Sequence, residues 1–293
     1  MTACRELVRR WSERPSSFFP DWTKTVLEEA LADAPQLRRC DFETFVQGSY
    51  ANETNIHGDS DVDLVVQMRL PFEENIRALD VEERNRFYDK YGDTVYGWPQ
   101  FRADVLARLR ERYFVTEGRK CINIEDIDAV LRIPADIVPA IEYRQYSGFP
   151  AADLEIYEEG VFFRDSAGNP IINFPKQHVR NGRRKDANTG GHFKPMVRIF
   201  KNARNHCADV DSDDAPSYFV ECLVYNIDDA VFRRPLHEAY PASVDWLHEH
   251  RDALSGFTCQ NRLIQLFGDG GHQWRVDRAQ HFIAALRRQM ASC

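Results

Sequence analysis

The spacing of hydrophobic positions changes near residue 190, and that change divides the chain. In "DWTKTVLEEALADAP", residues 21–35, apolar residues recur at helical spacing and the run ends at a proline, which predicts a helix. "FETFVQGS" reads as a strand entering a Gly-Ser turn. "DVDLVVQM" reads as a second strand, polar at its entry and buried along its apolar run. Residues 70–118 predict a long helical insert, with "VEERNRFYDKY" and "FRADVLARLRERYF" as its best helices. Strands return in "CINIED" and "AVLRIPADIVPAIEYR", and "GVFFRDSAGNPIINFP" predicts a hairpin closed on Ser-Ala-Gly-Asn. After about 190 the pattern is helical to the end, in "GHFKPMVRIFKNARN", "SYFVECLVYNI", "SVDWLHEHRDAL", "CQNRLIQLF" and "VDRAQHFIAALRRQM". The expected fold class is therefore α+β. A strand-rich lobe spans 1–175, with its N-terminal helix and the insert 70–118, and a helical lobe spans 176–293.

Composition narrows the class without locating a site. The chain has 293 residues, 38 basic against 46 acidic, and a net charge of −8, so it is not expected to coat nucleic acid nonspecifically. Seven cysteines at scattered spacing, with no C-x-x-C, suit neither a structural zinc site nor a disulfide framework, and predict reduced, packed thiols in a cytosolic protein. "MTACRELVRRW" has no apolar signal core, and no window approaches the ~18 apolar residues of a membrane span.

The chemistry is suggested by "GSYANETNIHGDSDVDLVV", residues 48–66. Strand side chains alternate between faces, so Asp61 and Asp63 point the same way while Val62 faces the core. Two carboxylates at a strand end are a seat for hard divalent cations, whose charge offsets their repulsion. The pair alone equally fits a solvated acidic strand end. The upstream Gly48-Ser49 turn changes that balance, because a backbone N–H and a hydroxyl there can hold phosphate oxygens. Asp136, isolated in the apolar run "IPADIVPAIEY", is the expected third carboxylate; the alternative is an Asp capping a turn after Pro134. Asp126 and Asp128 share the spacing but lack a preceding Gly-Ser and a following apolar run, which favours a turn there. Asp59 is an extra acid that either orients a metal-bound water or caps the turn. Three carboxylates beside a phosphate turn point to two-metal nucleotidyl transfer.

A second cluster follows. Residues 176–204 concentrate basic side chains, and Lys194, Arg198 and Lys201 at i, i+4 and i+7 share one helical face. That face suits a run of phosphates, with Lys201 foremost, or else is simply solvated. Arg183, Arg184 and Lys185 are expected in a loop, where they touch a nucleotide, RNA or nothing. Ser217, after a proline and before a helical pattern, reads as an N-cap or first-turn residue with its hydroxyl available to phosphate. Tyr218 then either stacks on a base, worth ~1–3 kcal/mol, or is a half-buried core aromatic. Neither His57 nor His178 is expected to bind metal, since Mg²⁺ prefers carboxylates and water.

"GSY…DSDVDLVV" resembles the nucleotidyltransferase motif of the polymerase-beta-like superfamily. With "ADIVPAIEYR", "INFPKQH", "TGGHFKPMVRIFKNARN" and "PSYFVECLVYN" in order, it is similar to the cGAS/DncV-like nucleotidyltransferases (CD-NTases) of bacterial CBASS antiphage systems over about 40–235. The resemblance implies a catalytic lobe built on a mixed sheet, and an active site in the cleft between it and the helical lobe. It implies two Mg²⁺, for which Mn²⁺ can substitute, held by Asp61, Asp63 and Asp136. Nucleotide contacts fall to Gln47, Gly48, Ser49, Asn173, Lys194, Arg198, Lys201, Ser217 and Tyr218. Asn173 occupies the base-contacting position; an asparagine offers the donor and acceptor that a uracil edge needs, or serves structurally at a hairpin end. Members with this Asn belong to the pyrimidine-using clade E, and members with a similar segment also make purine products.

The implied activity is condensation of two NTPs, UTP and ATP favoured, into a cyclic dinucleotide with release of pyrophosphate. The product would activate a separate effector protein. A monomer is expected, with no membrane partner. No Cys/His cluster of the zinc-thumb kind is present, so activation by double-stranded DNA is not implied. Four alternatives stand beside this reading. They are a purine-only synthase, a transferase extending RNA 3′ ends, a pseudo-enzyme that binds nucleotide, and a toxin-type transferase modifying protein or tRNA, a class that is usually shorter and lacks the helical second lobe. The single short basic patch argues against the second, and the retained carboxylates against the third.

Overall fold

The structure is a computed structural model that describes residues 2–15, 19–57, 62–92, 96–125, 134–270 and 273–291. In chain order its first elements are α1 (Thr2–Ser12), α2 (Phe19–Ala32), β1 (Phe42–Val46), α3 (Gly48–Asn52) and β2 (Val62–Asn75). Next come α4 (Val81–Lys90), α5 (Trp98–Arg110), β3 (Phe114–Glu117), β4 (Ile122–Glu125), β5 (Ala135–Ala151), β6 (Leu154–Arg164) and β7 (Pro170–Asn173). The rest is helical: α6 (Pro175–Asn188), α7 (Phe193–Asn205), α8 (Ser217–Tyr225), α9 (Leu236–Glu249) and α10 (Val276–Ala291). Two compact units result. A sheet unit comprises Ser17–Gln47 and Ser60–Pro175; a helical unit comprises Met1–Ser16, Gly48–Asp59 and Lys176–Cys293. Relative to a single boundary at 175/176, the helical unit gains the N-terminal segment and the short piece that carries α3.

In the sheet unit seven strands form one mixed sheet in the order β1-β2-β5-β4-β3, with β6 on β5 and β7 on β6. β2 and β5 pair in parallel and the other pairs are antiparallel. Val62, Leu64, Val65, Val66 and Met68 are all buried, as expected of a central strand covered on both faces. Beyond Met68 the register shifts and Glu73–Asn75 pair with Tyr143–Gln145. The segment 70–118 is therefore helical only in α4 and α5, because the long strand β5 captures its start. The hairpin forms as read, with Asp165 N bonded to Asn169 O at its turn.

The helical unit is built on α7, whose Phe193, Met196, Val197, Ile199 and Phe200 enter a core shared with Phe219 and Leu223 of α8, Phe282 of α10 and Val8 and Trp11 of α1. Residues 183–185, read as a loop, lie inside α6. Gly182 precedes them within the helix. Its missing side chain admits Gln260, whose Nε2 would lie 2.4 Å from a Cβ there. Residues 259–267, read as a helix, are an irregular turn. Asn261 Oδ1 accepts from Leu263 N (2.9 Å) and Ile264 N (3.1 Å), Arg262 adopts φ 65°, and Thr258 bridges Gln265. Cys40, Cys121, Cys207, Cys222 and Cys259 are free thiols, whereas Cys4 is disulfide-bonded, against the expectation of reduced thiols. Among the described residues no helix is long and apolar enough to cross a membrane.

Candidate active site

In the sheet unit, Asp63 and Asp136 are register partners on the neighbouring parallel strands β2 and β5. Both lie where the strands begin, and Val62 between the acidic positions is fully buried, as alternation requires. Gln47 N donates to Asp63 O (2.9 Å), which fixes the exit of β1 beside this end of β2. On the other side Asn123 of β4 faces Asp136 in register and donates Nδ2 to its Oδ1 at 2.6 Å. The Cys121 thiol is pushed up to about 12, first by burial and then by the charge and hydrogen bonding of Asp136 and the charge of Asp63. Two carboxylates and a protonated thiol thus crowd one spot.

The hard oxygens of that set fit a divalent cation of the Mg²⁺ type, and the thiol is a poor ligand for one. Among the described residues no group of three or more His, Cys, Asp or Glu is placed to hold a metal. Asp61, expected beside Asp63, lies outside the described residues, as do Asp59, Asp126 and Asp128. Asn123 was not anticipated, because pairing of β4 with β5 is long-range information. Asn173 ends β7 and accepts from its own neighbour, Phe174 N, at 2.8 Å.

In the helical unit, Gly48 opens α3 with φ 68°, a conformation that favours glycine, and Ser49 follows it. Asn52 Nδ2 donates to Gly48 O (2.8 Å) and Thr54 N to Ser49 O (2.9 Å), closing the turn on itself. The next residue, Glu53, also sits in the left-handed region at φ 58°. Three cations of α7 hold Glu53 and the residue after it. Lys194 Nζ meets the Glu53 carboxylate at 2.7 Å, Arg198 Nη1 donates to Glu53 O at 2.6 Å, and Lys201 Nζ donates to Thr54 O at 3.1 Å. Arg198 Nε also takes Ser12 O (2.7 Å) at the end of α1, a carbonyl with no partner inside that helix. The basic face predicted on α7 therefore exists but is not solvated: Lys201 is 0 % and Arg198 8 % exposed.

Glu221 of α8 collects the innermost of these groups. It is 3 % exposed and accepts from Thr54 Oγ1 (2.5 Å), Lys201 Nζ (2.8 Å) and His178 Nε2 (3.1 Å). Burial raises its pKa, but the Lys201 charge and the His178 hydrogen bond outweigh that and bring it to about 2. An acid in the otherwise apolar "SYFVECLVY" was the sequence signal for this residue, and it went unread. A carboxyl near 2 in the fold and near 4.5 unfolded stabilises fully above about pH 4.5 and loses that contribution as pH falls toward 2. Urea titrations of wild type and Glu221→Gln check this. Their stability gap is expected to narrow by roughly 2 kcal/mol between pH 6 and pH 3. A gap that is constant with pH would show that Glu221 is not ionised.

Ser217 is the first residue of α8, after Pro216. Tyr218 lies in a run of three rings, 5.1 Å and 29° from His178 and 5.8 Å and 24° from Trp274. Asn261 Nδ2 approaches its hydroxyl at 3.4 Å. Tyr218 also packs against the core of this unit, so the stack is part of that core as well as the place where a base contact is expected.

The chain is similar to known proteins over nearly its whole length. Residues 180–291 match the family model for the cGAS/DncV-like nucleotidyltransferase C-terminal helical domain. The chain is 36% identical to a cyclic UMP-AMP synthase of Rhodothermus marinus, over 94% of this chain and 93% of that protein. It is 29% identical to a cyclic dipyrimidine nucleotide synthase, CdnE, of Legionella pneumophila over 95% of each. The solved structure of Rhodothermus marinus CdnE c-UMP-AMP synthase with Apcpp and Upnpp superposes with a TM-score of 0.86 at 34% identity, covering 98% of this chain and 96% of that one.

Proposed function

The chain belongs to the cGAS/DncV-like nucleotidyltransferases and is a cyclic dinucleotide synthase, and on that premise we propose that it joins UTP to ATP, or to a second UTP, as a signal in antiphage defence. The observation that carries the chemistry is the register pairing of Asp63 with Asp136 where β2 and β5 begin. Those two carboxylates, with Asp61, are assigned to two Mg²⁺ ions. Bound there, the metals would supply Lewis acidity, lowering the pKa of the attacking hydroxyl and offsetting charge on the leaving pyrophosphate.

Asn123 donates to Asp136 and so presents the other carboxylate oxygen. Gly48 and Ser49 contribute an N–H and a hydroxyl to the donor triphosphate, with Ser217 adding a second hydroxyl. Tyr218 carries the base. In the first step a ribose hydroxyl of one nucleotide attacks the α-phosphorus of the other; a P–O bond forms and pyrophosphate leaves. The linear product then presents its remaining hydroxyl and triphosphate to the same residues, and a second pyrophosphate departs on closure.

The preference for uracil is supported by two things. Asn173 matches, by sequence resemblance, the family's base-contacting position, and one relative described above is a cyclic UMP-AMP synthase. Purified protein incubated with α-³²P NTPs and Mg²⁺, then treated with phosphatase, is expected to leave a resistant product that requires UTP. A resistant product made from purines alone would discard the base assignment and keep the synthase. Asn173→Ala is expected to relax base choice by about tenfold, the size of one lost polar contact.

A further inference from the structure

We propose that Glu221 is a positioning residue of the nucleotidyl transfer, coupling the phosphate turn at Ser49 to the base platform at Tyr218. The inference rests on the assignment of Ser49 and Tyr218 made above. Its basis is a chain of direct contacts inside the helical unit. Ser49 O accepts from Thr54 N (2.9 Å), Thr54 Oγ1 donates to Glu221 Oε1 (2.5 Å), and Glu221 Oε2 meets His178 Nε2 (3.1 Å). The His178 ring in turn stacks on Tyr218 at 5.1 Å. Lys201 closes the figure by donating to both Thr54 O and Glu221 Oε1.

Every link is a hydrogen bond or a ring contact between buried or half-buried groups, so neither end shifts without straining the other. Packing alone does not require this chemistry. A leucine at 221 and a methionine at 201 would fill the same space without desolvating two charges. What the carboxylate adds is direction: its two oxygens point to two different elements, Thr54 after α3 and His178 on α6. Ser49 and Tyr218 act on different parts of one nucleotide, and a fixed distance between them sets where the α-phosphorus lies for a given seat of the base.

A double-mutant cycle tests the coupling. Ser49→Ala and Tyr218→Ala, alone and together, are measured as kcat/KM for the preferred NTP pair, first in wild type and then with Thr54→Val, which keeps the shape at 54 and removes the hydroxyl. We expect non-additivity of roughly fivefold in wild type, the range found for residues in one network. It should weaken with Thr54→Val, which leaves only the path from Thr54 O through Lys201 to Glu221, and return with Thr54→Ser. His178→Phe keeps a ring on Tyr218, cuts the link to Glu221, and should abolish the coupling from the other side; it serves if Thr54→Val fails to fold. Additivity in wild type, or coupling that survives both variants, would overturn the inference and leave the site assignment standing. Wild-type rates for both single variants would overturn the site assignment, and the inference with it.

Discussion

Asp63→Asn and Asp136→Asn are each expected to abolish cyclic dinucleotide formation, by about a thousandfold or more, in a protein that folds as well as wild type. The size follows from the several kcal/mol that a bound metal contributes to charge stabilisation during transfer. Asparagine keeps the shape and one oxygen but removes the charge that holds the ion. The fold should not suffer, because these carboxylates repel each other as register neighbours and add to the burial that raises the Cys121 thiol. A melting temperature equal to or above that of wild type, with product lost, is the expected pair of results. Retained activity in Asp136→Asn would remove the third carboxylate from the site and return that residue to a structural role. Asn123→Ala should fall between, with activity reduced about tenfold, since it orients Asp136 rather than holding metal.

The second large effect is on stability. Lys201→Met is expected to destabilise the helical unit by about 3–5 kcal/mol, the range for breaking one side of a buried ion pair. Lys201 and Glu221 are 0 % and 3 % exposed, so solvent cannot compensate the orphaned carboxylate, and Thr54 O loses its donor as well. The double variant Lys201→Met with Glu221→Leu should recover most of the loss. Urea unfolding followed by tryptophan fluorescence reads both. If the double variant is no more stable than the single, the cost arises from packing and not from charge. Recovered stability with activity still lost would separate what the Lys201–Glu221 pair does for the fold from what it does for transfer.

The parts of the site that the sequence revealed are those that depend on local pattern. Asp63 and Asp136 stood out because strand alternation and apolar flanks gave each a face, and Gly48-Ser49 because an N–H and a hydroxyl at a turn there can hold phosphate oxygens. The parts that stayed hidden are pairings between distant segments. No local signal places Asn123 beside Asp136, since that needs the order β5-β4 in the sheet. The i, i+4, i+7 spacing identified the common face of Lys194, Arg198 and Lys201. Their partners, the carbonyls and carboxylate of residues 53–54, lie some 140 residues away, so a solvated face and a buried one looked alike. The same limit explains residues 70–75, captured by β5, and residues 259–267, where one asparagine side chain overrides an apolar helical period.

The short piece Gly48–Asp59 leaves the sheet unit between β1 and β2, packs with the helical unit, and returns. With the passages near 16 and 175 the backbone changes unit four times, so the two units are interleaved rather than joined in tandem. A fragment starting at 176 would lack Val8 and Trp11 from its core, and would bury Arg198 and Lys201 without the carbonyls that receive them. A fragment ending at 175 would carry α1 and α3 with nothing to cover them. Neither half is therefore a separable module. Each is a complementing piece, and a protein split at this boundary would behave as a coincidence detector, active only where both pieces are made together.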